Sequence, residues 1–542
     1  MWVRASLRVF ASGLGNRAIW ARVEGLAAIP ALPCLRPPSL SEKRTSMRVL
    51  FVTSEFAGLA KAGGLGDVSA ALPRALIRQG VDVRVVMPAY PDVLARTSGV
   101  EVVGELPGRA EIPSCSIGRV RLEDGLVLYL LIAPSLYDRP GNPYCGPGGE
   151  EWPDQDLRFG RLSLAAADIA RGIGGLNWAP DLLHVNDWPG SLAPAYLHWD
   201  GAPVPSLLTA HNVAHQGVFP ASRRAALGIP ESAFAMEGVE FYGNIAFLKA
   251  GLFYASHACA VSQTYAREIT TPAFGGGLHG LLAGLAGQGR LSGIVNGIDE
   301  SWDPARDPYL PYHFQAEDLH GKRMLAELVR TSLCLEHSEG PLFAIVSRLV
   351  HQKGLDLVAE AAPEIVRRGG QIAILGMGQP SVEHLLHRVS RAHRDQIGLL
   401  VGFNEPMAHR IVAGSDFLLM PSRFEPCGLT QLQAQHCGTL PIAHATGGLV
   451  DTIEDGGTGL LFEEANVEGL LGACHRAFEV FSHPAELLRM RRRAMARTFS
   501  WSRSAEQYRE LYSLLLDGSA PSSQPHPRPK RLVRRSGLDR AA

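Results

Sequence analysis

The chain has 542 residues, 46% hydrophobic and 19% charged, with a formal net charge of -1 at pH 7. That composition excludes a disordered chain, and the length exceeds one ordinary core, so two substantial domains are expected. The balanced charge excludes a global field that would recruit nucleic acid or an anionic membrane, and no apolar run is long enough to span a bilayer. The eight cysteines show no CxxC or other zinc-like spacing, which suits a reducing compartment and offers no metal site.

Residues 1–46 are rich in arginine, and Pro30, Pro33, Pro37 and Pro38 interrupt any helix. They read either as a transit segment, which would address the chain to a plastid, or as the product of an upstream start, with Met47 as the true first residue of a cytoplasmic bacterial protein. From Met47 the pattern is strand (Val49 to Thr53), Gly-rich turn, helix (Val68 to Gln79) and strand (Val81 to Met87), a βαβ unit that demands a parallel sheet. Leu126 to Ile132 is another strand-length run. Leu182 to Val185 and Ser206 to Thr209 are short apolar runs ending in the polar clusters His184-Val185-Asn186-Asp187 and Thr209-Ala210-His211-Asn212. Asn296-Gly297-Ile298-Asp299 suits a connector.

A second series follows: strand Leu342 to Val346, helix Gly354 to Arg368, and strands Gln371 to Leu375, Leu399 to Gly402, Asp416 to Met420 and Leu440 to Ala443. A last helix, Ser502 to Leu515, is expected to pack back on the first half. From about Ser519 the chain reads as a disordered basic tail. The expected fold class is therefore α/β, with two Rossmann-like, doubly wound domains facing a central cleft.

Four segments carry candidate chemistry. In Lys61-Ala62-Gly63-Gly64-Leu65-Gly66-Asp67, glycine N–H groups at a helix start could meet an anion beside Lys61; the plain alternative is a tight turn with Gly63 and Gly64 at positive φ. Arg348 and Lys353, straight after a strand, could neutralise a diphosphate without a metal; the alternative is two solvated cations. In Pro421 to Thr430, prolines and a glycine fix Glu425, which could accept hydrogen bonds from sugar hydroxyls or merely cap a rigid loop, while Cys427 suits a small packed thiol. Thr446-Gly447-Gly448-Leu449 is a further turn whose N–H groups could face a ligand. Finally, His211, Asn212 and Asp187 stand at strand ends, where ligand-binding residues of such sheets gather. No nucleophile elbow, HExxH, EF-hand loop or kinase signature occurs.

Read together and in order, these blocks resemble the bacterial glycogen synthases and plant starch synthases, retaining glycosyltransferases of family 5 with the GT-B fold. The likeness runs from Met47 to about Leu515 and includes Phe247 to Gly251, Val261 to Thr270 and Leu291 to Asp299. It implies a first catalytic domain over 47–297, a nucleotide-binding domain over 298–500, a returning helix over 501–517 and a tail over 518–542. The implied reaction passes glucose from ADP-glucose to the non-reducing end of glycogen or another α-1,4-glucan, with retention and no cofactor; the oligomeric state stays open.

By the same resemblance, His211, Glu425, Arg348, Lys353 and Asp187 are catalytic. Lys61, Gly63, Gly64, Asp67, Asn212, Asn296, Phe403, Cys427, Gly428, Leu429, Thr430, Gly447 and Gly448 bind substrate. Three positions depart from the pattern: Ala62 where threonine is common, Phe403 where a tyrosine near the adenine is common, and His215 where tyrosine is common. The competing readings are a UDP-glucose transferase making sucrose or trehalose derivatives, a phosphorylase of the same fold, and an inert glucan- or nucleotide-binding protein.

Overall fold

A computed structural model describes residues 46–518. The expectations for the N-terminal extension and the basic tail lie outside these residues. The first half is built on strands β1 (Arg48–Val52), β2 (Asp82–Pro88), β3 (Glu101–Leu106), β4 (Cys115–Arg121), β5 (Val127–Ile132), β6 (Leu182–Asn186) and β7 (Ser206–Ala210). A small sheet of β8 (Val218–Pro220), β9 (Glu240–Phe241) and β10 (Asn244–Ala246) interrupts it before β11 (His257–Ala260) and β12 (Leu291–Gly293). The main sheet runs β12-β11-β7-β6-β1-β2-β5-β4-β3. It is parallel except where β4 runs antiparallel to both β5 and β3, an edge the alternating strand-helix pattern did not announce.

The second half holds β13 (Leu342–Val346), β14 (Gln371–Gly376), β15 (Ile397–Val401), β16 (Phe417–Met420), β17 (Leu440–His444) and β18 (Leu460–Phe462), all parallel in the order β15-β14-β13-β16-β17-β18. Both faces of this sheet are covered. Along β13, Phe343 and Ile345 enter one core while Leu342 and Ala344 enter the other, as the two-residue period of a strand requires. The strand expected from Leu399 begins two residues earlier, at Ile397, and ends before Gly402, whose φ of +140° takes the backbone out of the strand.

In each sheet the order reverses at one point, between β1 and β6 in the first and between β13 and β16 in the second, and ligand crevices form beyond the carboxyl ends of strands at such points. The last helix, Trp501–Leu516, returns to the first half. Tyr508 and Tyr512 are buried in the first core, the Tyr512 hydroxyl lies 2.6 Å from His184 Nδ1, and Ser504 Oγ donates to the Val295 carbonyl at 2.7 Å. His184, part of a suspected strand-end cluster, is thereby a core residue; its Nε2 meets Thr209 Oγ1 at 2.8 Å.

Candidate active site

At the carboxyl ends of β1, β6 and β7 three polar groups converge. Asn186 donates to the Val52 carbonyl and its Oδ1 lies 3.1 Å from His211 Nε2. Asp187, at φ +56°, turns its carboxylate toward the next strand end and accepts the N–H groups of His211 (3.2 Å) and Asn212 (3.5 Å). With ψ at −176° this lies outside the left-handed helical region, a backbone conformation strained for any residue that carries a Cβ and one that gathers at functional sites. Burial pushes the Asp187 carboxyl up to about 7 and the His211 imidazole down to about 3, so His211 stays neutral at ordinary pH.

The glycine turn departs from its expected role. Neither Gly63 nor Gly64 has a positive φ, and the helix starts at Gly64 rather than Val68. The N–H groups of Ala62 and Gly63 are taken internally, by Glu55 Oε2 at 2.7 and 2.8 Å, so these two donors do not cradle an anion. Glu55 Oε1 in turn accepts the Tyr144 hydroxyl at 2.8 Å. Lys61 and Asp67, each 37% exposed at the side chain, pair with each other at 2.6 Å. Gly64 faces the second half directly: a Cβ there would lie 3.8 Å from Leu429 Cδ1.

On the opposite wall, Lys353 Nζ lies 2.5 Å from Glu425 Oε2, which also accepts Ser422 Oγ at 3.0 Å. Lys353, Ser347, Ser422 and Thr430 line a cavity of about 20 Å³ at the β13/β16 crossing point. Arg348 is exposed, with no ion pair among the described residues, and its charge helps hold the His215 imidazole of the first half below its ordinary range, after the effect of burial. Phe403 is 77% exposed just beyond β15, offering an open ring face, while Asn404 caps the following helix through Met407 N–H. Cys427 is buried, its thiol pushed up to about 12 by burial, and it meets the backbone of Asn296. Gly428 has φ +72° and Thr430 opens the next helix.

Gly447 and Gly448 are likewise not free donors. Gly447 N–H donates to Glu268 Oε1 at 2.9 Å, Thr446 Oγ1 to the same atom at 3.0 Å, and Gly448 N–H to the Glu425 carbonyl at 2.9 Å. Their small size is what the site uses: a Cβ at Gly447 would strike the Glu425 carbonyl and one at Gly448 the Cys427 carbonyl. Glu268 belongs to the first half, so it ties the two halves together directly behind Glu425. Thr264 strengthens this tie by donating through N–H and Oγ1 to Asp451 at 2.8 and 2.6 Å. Glu268→Ala leaves a buried N–H and a hydroxyl unpaired, at about 1–3 kcal/mol each. The expected result is a lowered denaturation midpoint with Glu268→Gln close to wild type, checked by chemical unfolding.

Buried groups also set the pH dependence of stability. Burial holds His184 and His211 at about 3 and His257 at about 4, so the unfolded chain binds protons at these sites near pH 6 that the folded chain refuses. Stability from these groups is complete above about 6.5 and is lost as pH falls below it. Carboxyls raised by burial oppose: Asp187, near 7, most strongly, and Asp67, Asp168 and Glu268 in the same direction. The net expectation is a urea midpoint that falls between pH 7 and pH 5, measured by fluorescence.

Glu55, Tyr144, Glu268 and Ser422 were not singled out by the sequence. Glu55 could have been, since it follows β1 by three residues, the same strand-end rule that marked Asp187. Among the described residues no helix is long and apolar enough to cross a membrane.

Comparison with known proteins places this geometry in context. A model of the starch synthase catalytic domain matches residues 48–284, and one of glycosyl transferases group 1 matches residues 335–485. A glycogen synthase of Pseudomonas fluorescens is 55% identical over 485 residues, covering 90% of this chain and 92% of its own. The catalytic domain of Arabidopsis thaliana starch synthase IV, solved with ADP and acarbose, superposes with a TM-score of 0.78 at 30% identity, covering 87% of this chain and all of that one. A sucrose-phosphate synthase of Thermosynechococcus elongatus, at 18% identity and TM-score 0.55 over 87% of this chain and all of its own, shares the fold alone.

Proposed function

Because the chain belongs to the family of bacterial glycogen synthases and starch synthases, we propose that its cleft transfers glucose specifically from ADP-glucose, in a bacterial cytoplasm, through the residues described above. The chain is a retaining glycosyltransferase with the GT-B fold, taking a nucleotide-sugar donor and a glucan acceptor. The observation that carries the finer reading is the Lys353–Glu425 pair, set at the β13/β16 crossing point, with Glu425 in the loop whose Leu429 meets Gly64 of the glycine turn.

In this reading Arg348 and Lys353 balance the donor diphosphate, Arg348 because it is an exposed cation at the strand end with no ion pair among the described residues. Glu425, Gly447 and Gly448 form one rigid wall whose carboxylate meets glucose hydroxyls, and Phe403 offers its ring to the adenine. Neutral His211 donates or accepts at the transferring sugar, held in place by Asn186 and Asp187. Lys61, Asp67, Asn212 and Asn296 complete the first-half wall, with Cys427, Leu429 and Thr430 opposite. The acceptor 4-hydroxyl attacks the anomeric carbon on the face the diphosphate leaves. The bond from that carbon to the phosphate oxygen breaks, and that oxygen takes the acceptor's proton.

The deciding experiment is transfer of labelled glucose to glycogen from ADP-glucose and from UDP-glucose. The expected result is polymer labelling from ADP-glucose well above that from UDP-glucose. Preference for UDP-glucose would overturn the donor assignment, and no labelled polymer from either would overturn the reaction. The relative solved with ADP supports the adenine nucleotide, and Phe403 retains a stacking face although it lacks a phenolic hydroxyl.

A further inference from the structure

Beside the glycine turn, lined by first-half residues, lies a separate cavity of about 90 Å³ whose wall includes Lys61, Tyr90, Asp92, Arg139, Asn142 and Arg158. It holds on the order of six water-sized volumes, room enough for a tetrahedral oxyanion. The groups that could answer such a ligand are present and unengaged. Arg158 is 1% exposed, yet its Nε and Nη1 have no hydrogen-bond partner, and no carboxylate pairs with it among the described residues. Ring faces meet its guanidinium, 5.5 Å from the Trp152 centroid and 5.9 Å from that of Phe159, and the carboxylate whose charge reaches it, Asp154, is bonded to Arg139 instead. The Tyr90 hydroxyl, also buried, has no partner among the described residues either.

A buried guanidinium without a counter-charge is costly unless something pairs with it. The other charges at the cavity do not supply that partner. Arg139 is held bidentately by Asp154 at 2.7 and 2.6 Å, Lys61 by Asp67, and Asp92 is largely exposed and sits 3.7 Å from Arg96. The excess on the cavity wall is therefore one positive charge, on Arg158, with a hydroxyl donor beside it. A neutral sugar would satisfy hydrogen bonds but leave that charge unbalanced; a doubly charged oxyanion satisfies both.

We propose that this cavity binds phosphate, as the free ion or as the phosphoryl group of a small metabolite, through Arg158 and the Tyr90 hydroxyl. The site is lined by none of the cations at the second sheet and shares only Lys61 with the glycine turn.

The test is isothermal titration of the full chain with inorganic phosphate and, in a second arm, with glucose 1-phosphate. Four proteins are compared: wild type, Arg158→Met, Tyr90→Phe and Lys353→Ala. Saturable binding is expected in wild type and Lys353→Ala, weakened at least about tenfold in Arg158→Met and by a smaller factor in Tyr90→Phe. Tighter binding of glucose 1-phosphate than of phosphate would identify a metabolite as the source; equal or weaker binding would identify the free ion. Should Arg158→Met fail to fold, Tyr90→Phe, which keeps the ring, carries the comparison. No binding in wild type, loss in Lys353→Ala alone, or unchanged affinity in both cavity variants would each overturn the proposal.

Discussion

Replacing Glu425 by alanine is expected to cut kcat by about 10²–10³-fold, Lys353→Ala to fall about as far, and the double variant little further. The two side chains meet at 2.5 Å and both are largely buried, at 7% and 16% side-chain exposure. Removing either one leaves an uncompensated charge in the cleft as well as a missing contact to the donor. Residues that act as a unit do not add, so a double-mutant cycle should show a coupling energy about as large as either single effect. The backbone around Glu425 is held by other means, through the contact of its carbonyl with Gly448 N–H, so circular dichroism of the variants should match wild type. Wild-type kcat at saturating donor in either single variant would remove that residue from the mechanism.

Asp187→Asn is expected to lower kcat/KM by about 10²-fold and to abolish an acidic limb in its pH profile. Burial pushes the Asp187 carboxyl up to about 7, so the ionised form gains population as pH rises through that value. If the charge on Asp187 supports the positive character that develops at the transferring carbon, wild-type kcat/KM rises over the same interval and then levels. The asparagine carbonyl still accepts the His211 and Asn212 N–H groups, so the backbone geometry survives and the loss reports charge. Retention of the limb in Asp187→Asn would assign it to another group.

The fold was legible in the sequence because its signals are local. Short β-branched runs separated by helices state a parallel sheet, and β13 appears with the bounds read from composition. The antiparallel β3–β4 edge escaped because its strands are partly exposed and carry no continuous apolar run. Within the site, residues at strand ends could be found one by one, but pairings could not. That Lys61 binds Asp67 and Lys353 binds Glu425 follows from how loops meet in space. The glycine turns show the limit most clearly. Paired glycines after a strand suggest open N–H donors, whereas the carboxylates that occupy them, Glu55 and Glu268, stand at 8 and 179 residues' separation from Gly63 and Gly447.

The returning helix also constrains how the protein is made. Strand β12 ends at Gly293, but Tyr508 and Tyr512, which seal the core around His184, come more than two hundred residues later. At roughly 5–20 residues per second, synthesis of the intervening chain takes on the order of ten to forty seconds. Throughout that interval the nascent first half carries an uncovered apolar face, and the second half finishes its own sheet before the first can close. A nonsense codon between Phe462, where the second sheet ends, and Trp501 would therefore release a polypeptide whose two sheets are both present and whose earliest-made core is still open to chaperones and proteases.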